Sequence, residues 1–141
     1  MAETNTTQTD ESGRNINPVL APVIEIDLVI YPFSIIVFTK HEYSTIKRVL
    51  EERIPEEYQK DISLFDEIYD GKTVLFPSGH TVISLKKTDR PLIVHEVFHA
   101  TSYILDYIGL PFTDETKEGY AYLMQFIFGQ IDSGLSSYNG C

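Results

Sequence analysis

The chain has 141 residues, 43% of them hydrophobic and 12% aromatic, enough for one buried core and unlike a disordered segment. A formal net charge of -10 repels phosphate backbones, so no nucleic-acid partner is expected, and Lys47-Arg48 and Lys86-Lys87 read as isolated solvated pairs. No apolar run approaches the roughly 18 residues of a membrane span, and the lone cysteine, Cys141, excludes an internal disulfide framework or a cysteine-based metal site.

Residues 1–17 are rich in Thr, Asn, Ser and acidic side chains and are expected to form a flexible tail. A single domain is expected over 18–132, followed by a loose tail over 133–141. Val23 to Ile30 alternates apolar and acidic residues, the pattern of a strand with one wet face. Phe33 to Thr39 is denser in β-branched and aromatic residues and reads as a more buried strand. Ile46, Val49, Leu50 and Ile54 recur at helical spacing over Glu42 to Ile54, and Pro55 ends that helix. Glu56 to Tyr69 suggests a short helix before a turn at Asp70-Gly71. Thr73 to Phe76 and Thr81 to Leu85, separated by Pro77-Ser78-Gly79-His80, predict a hairpin.

The last third reads as two helices. Asp89 and Pro91 open the first, whose apolar run continues to Ile108 before the Gly109-Leu110-Pro111 stop. The second is expected to start near Thr113, with Asp114 and Glu115 in its first turn, and to reach Phe128 and Gly129. The fold class is therefore α+β, a small, mainly antiparallel sheet packed on the C-terminal helix pair.

His95-Glu96-Val97-Phe98-His99 is an H-E-x-x-H motif on the first of these helices. Residues four apart share a helix face, so both imidazoles can meet one metal ion. Glu96 is rotated by about 100° from His95 and borders that face, where it can act as general base and acid. Only four histidines exist and His99 is the last, so no histidine downstream can be a third ligand. The extension H-E-x-x-H-x-x-G-x-x-H is also absent, because Ser102 and Leu105 occupy its Gly and His positions. Asp106 shares the face but lies about 10 Å along the axis from His99. Glu118, beyond the turn and followed one helical turn later by the small Ala121, is the best remaining candidate.

The motif with Glu118-Gly119-Tyr120-Ala121-Tyr122 resembles the gluzincin pattern of zinc metallopeptidases, especially the small phage- and prophage-encoded members. The Glu-x-x-Ala element is also similar to that of the metallopeptidases that cleave phage repressors. The resemblance covers roughly 91–128. It implies a zincin-like helix pair, one zinc per chain held by His95, His99 and Glu118, and Glu96 as the catalytic base and acid. Tyr122 stands where the family carries an acidic residue that orients the imidazoles.

The expected activity is hydrolysis of peptide bonds through a zinc-activated water. The alternative is a catalytically inactive zincin-fold scaffold or phage structural protein that binds a protein partner. A peptide substrate is expected along Thr81, Val82, Ile83, Ser84 and Leu85, read as an edge strand. Tyr103, Tyr120, Tyr122 and His80 are candidate oxyanion stabilisers, with His80 favoured as a plain turn residue. With no signal peptide at the N-terminus, the expected location is the cytoplasm of a bacterial host or a virion. The oligomeric state is left open.

Overall fold

A computed structural model describes residues 8–9, 15–16, 23–28 and 33–138. Two short strands, β1 (Gln8–Thr9) and β2 (Asn15–Ile16), form an antiparallel ladder. They fall within the segment expected to be a tail, most of which lies outside the described residues.

The main sheet has four strands, β3 (Val23–Leu28), β4 (Phe33–Thr39), β5 (Gly71–Leu75) and β6 (His80–Leu85), in the order β3-β4-β6-β5. The outer pairings are antiparallel and β4 and β6 run parallel, so the sheet is mixed, with two of its three pairings antiparallel. The reason lies in the connection. Between β4 and β6 the chain passes through α1 (Tyr43–Arg53), a tight i→i+3 coil over Glu56–Asp66, and β5. Such a long crossover delivers β6 in the same direction as β4.

This order also corrects the edge assignment. β6 is paired on both sides, and the strand on the outer side of the hairpin is β5. Thr81 to Leu85 is thus an interior strand, consistent with the burial of all five residues. In β3, by contrast, Ile26 and Leu28 are buried while Glu25 and Asp27 are exposed, as alternation requires.

Both faces of the sheet are covered. Ile36, Phe38, Val74 and Val82 point to one side and pack with Ile46, Leu50, Ile62 and Phe65 of α1 and the tight coil. Ile35, Val37, Ile83 and Leu85 point to the other and pack with two long helices, α2 (Arg90–Tyr107) and α3 (Lys117–Tyr138). The two-residue period of each strand thus sends neighbouring side chains into two separate cores.

Asp89 and Pro91 open α2. At its end Gly109 takes φ 85°, its N–H bonds the Asp106 carbonyl at 3.0 Å, and the Leu110 N–H reaches the Leu105 carbonyl at 2.8 Å. This paired closure satisfies the last carbonyls and needs a residue that tolerates a left-handed backbone.

α3 departs from expectation at both ends. It begins at Lys117, because the Thr116 hydroxyl accepts from the Thr113 N–H at 2.8 Å and holds 113–116 as a turn. Asp114 and Glu115 therefore precede the helix, and Glu118 occupies its first turn. At the far end the helix runs through the residues expected to be a tail, as far as Tyr138. Ile127 and Ile131, buried one turn apart, and the half-buried Leu135 continue the stripe that faces the core. Gly134 lets the helix pack against β3, since a Cβ there would stand 2.8 Å from Ile24 Cδ1. Among the described residues, no helix is long and apolar enough to cross a membrane.

Candidate metal and acid–base site

α2 buries Ile93, Val97, Ala100 and Ile104 against the sheet, which turns His95 and Phe98 outward and leaves His99 half-buried. The motif's spacing thus does what a helix dictates. The Nε2 atoms of His95 and His99 stand 3.2 Å apart, with ring centroids at 4.8 Å. Two ring nitrogens bound tetrahedrally to one zinc at normal bond lengths would be about 3.3 Å apart. The separation fits a shared ion, and it suits an N–H···N bond between the rings equally well.

Glu96 sits on the inner side of α2 and is only 4% exposed. Its Oε1 accepts a 2.7 Å hydrogen bond from the Thr73 hydroxyl on β5. Its Oε2 lies against the backbone of Gly71, where a Cβ would come within 2.8 Å of that oxygen. Gly71 and Thr73 are two apart on the strand and face α2 together, while Val74 points into the opposite core. Burying a carboxylate costs several kcal/mol, and one hydrogen bond to a charged group returns about 1.5–3 kcal/mol. Glu96 is therefore a poor choice for stability alone.

The third expected ligand is not brought to this pair. Glu118 is exposed, and Ala121, expected at the helix contact, is exposed as well. The face of α3 that packs inward is Tyr120, Leu123, Ile127 and Ile131. At about 100° per residue, Glu118 lies nearly opposite that stripe. Among the described residues, no group of three His, Cys, Asp or Glu side chains is placed to hold a metal ion.

Of the four candidate oxyanion stabilisers, Tyr103 alone touches the imidazole pair, its ring stacked on His99 at 6.0 Å between centroids. Tyr120 is buried and stacked on Phe112 at 4.9 Å, and Tyr122 is 68% exposed on α3. His80 is on the wrong side of the sheet. It shares the strand face of Val82 and Ser84, on the side of α1, and its Nδ1 is 2.8 Å from the Ser78 hydroxyl. Burial, with the nearby Arg53 charge, holds its pKa below the usual histidine value.

Sequence reasoning missed Gly71 and Thr73. Gly71 reads as part of a turn and Thr73 as an ordinary strand residue, and no spacing rule links either to Glu96, more than twenty positions on. Comparison of the chain with known protein families, with curated proteins and with solved structures found no match.

Proposed function

We propose that this chain is a zinc-dependent peptidase whose metal is held by His95 and His99. The observation that carries the reading is the pairing of an exposed and a half-buried imidazole, Nε2 to Nε2 at 3.2 Å, with a buried carboxylate from the residue next to the first. The gluzincin resemblance of the same residues points the same way and names Glu118 as the third donor. That role requires the first turn of α3 to swing its outward side towards α2.

In this reading His95 and His99 each offer an Nε2 lone pair, and Tyr103 limits the tilt of the His99 ring by stacking on it. Bound zinc supplies Lewis acidity towards a carbonyl oxygen and a lowered pKa for water. Glu96 accepts a proton and returns it to the departing amine, with its carboxylate held by Thr73. Among the described residues β5 has no strand on its outer side, and that edge, beside α2, is where an extended peptide would add.

A second reading, the inactive zincin-like scaffold that binds a protein partner, is favoured by the exposed position of Glu118. The two part at Glu96. With zinc-loaded protein and a mixture of quenched fluorogenic peptides, the peptidase reading expects Glu96→Gln to lose at least about 100-fold in turnover. Equal signals from wild type and Glu96→Gln would leave the scaffold.

A further inference from the structure

The Glu96 carboxylate meets β5 at two points, and both look made for it. Thr73 has one hydroxyl proton to give and two acceptors in reach, the Glu96 carboxylate at 2.7 Å and the Glu96 carbonyl at 3.3 Å. The carbonyl already belongs to the helix, and the shorter contact lies at the length expected for a hydroxyl donating to a carboxylate. Gly71 supplies the space beside the other oxygen. Alanine there would bring its Cβ to 2.8 Å from Oε2, 2.9 Å from Glu96 Cγ and 3.0 Å from Leu92 Cδ1. A carboxylate pinned at one oxygen and wedged at the other cannot rotate freely about its last bond.

From this geometry we propose that Thr73 is the positioning residue for Glu96, and that Gly71 is the gap in the edge strand that admits the carboxylate. The catalytic significance rests on the peptidase reading above; the positioning itself does not. Thr73 touches neither the imidazoles nor a substrate in this account and acts only through Glu96. Its hydroxyl holds Oε1 while Gly71 makes room for Oε2, so the rotation of the carboxylate is fixed and Oε2 is the oxygen that Thr73 does not hold.

The test compares Thr73→Val, which keeps the shape and removes the donor, with Thr73→Ser, which restores the donor. Two signals are read from each full-length variant. The first is the Glu96 side-chain carboxyl carbon by NMR at one fixed pH, assigned by its loss in Glu96→Gln. The second is turnover of the quenched peptides by zinc-loaded protein, with metal content measured alongside.

The proposal expects the Glu96 signal to move in Thr73→Val and to return in Thr73→Ser. It expects kcat to fall on the order of 10- to 100-fold in the Val variant, with KM and zinc content unchanged, and to recover with Ser. An unmoved Glu96 signal in Thr73→Val, or a Ser variant no better than Val, overturns it. If wild type is inactive while the Glu96 signal still follows the Thr73 hydroxyl, the peptidase reading fails and the positioning stands. If Thr73→Val retains wild-type kcat, the proposed catalytic effect of the positioning is overturned and the peptidase reading survives.

Discussion

On the α1 side of the sheet, Phe38, Phe65 and Phe76 are fully buried among aliphatic residues of the strands, helix and tight coil. On the α2 side, the core is built mostly of Ile, Leu and Val with Ala100, Phe33 and Tyr120, and a carboxylate, Glu96, is buried beside it. Both faces exclude water from the strands. Only the second buries an acid on the residue next to an imidazole pair. The difference separates what a fold needs from what it carries: aromatic packing explains itself energetically, and a buried Glu held by one threonine does not.

The sharpest way to break this contrast is to damage the α1 side alone. Phe65→Ala should cost about 3–5 kcal/mol in urea unfolding, because Phe65 is 1% exposed and its loss removes a large side chain from the core. The folded fraction should bind zinc as wild type does. Loss of metal binding in molecules that remain folded would show that the two faces are coupled.

A smaller effect is expected at Gly71. Gly71→Ala should destabilise by about 1–3 kcal/mol through the clash with Glu96. In a Glu96→Ala background most of that cost should vanish, and urea melts of the four proteins check it. An equal cost in both backgrounds would assign the clash to Leu92 and weaken the case that the gap exists for the carboxylate.

The smallest effect concerns His80, a histidine on the α1 side whose pKa is shifted. Its folded pKa lies below the usual 6.5, chiefly through burial, so the unfolded chain binds more protons between the two values. Stability contributed there is complete above pH 6.5 and declines as pH falls towards the folded pKa. Thermal melts from pH 7 to 5 should therefore show a shallower decline for His80→Gln than for wild type. Parallel declines would place the acid sensitivity elsewhere.

Much of this was legible before the structure. Val23 to Leu28, Phe33 to Thr39, α1, the hairpin and α2 follow from alternation, helical spacing and the Pro and Gly stops, which are local signals. The partner of β6 was not legible, because parallel pairing of β4 and β6 depends on a crossover of some forty residues with no local signature. The end of α3 was misread for a related reason. The helix is expected to stop at Gly129, and what carries it on is packing remote in sequence, as where Gly134 admits Ile24 of β3.

At the site, the helix period alone was enough to bring His95 and His99 together. The expected approach of Glu118 fails on helix phase: Tyr120, Leu123, Ile127 and Ile131 form the buried stripe of α3, and at about 100° per residue Glu118 lies nearly opposite it. Thr73 was invisible, since a threonine in a strand is ordinary until something packs on it.

The most direct test of the central claim is the zinc content of untagged, reconstituted protein by elemental mass spectrometry, for wild type, His99→Ala and Glu118→Ala. The account predicts about one zinc per chain in wild type, lost in His99→Ala. Loss in Glu118→Ala as well would bring the first turn of α3 to the metal, and retention would move the third donor elsewhere. Absence of zinc from reconstituted wild type would contradict the account and leave His95 and His99 as two imidazoles bonded to each other on the surface of a scaffold.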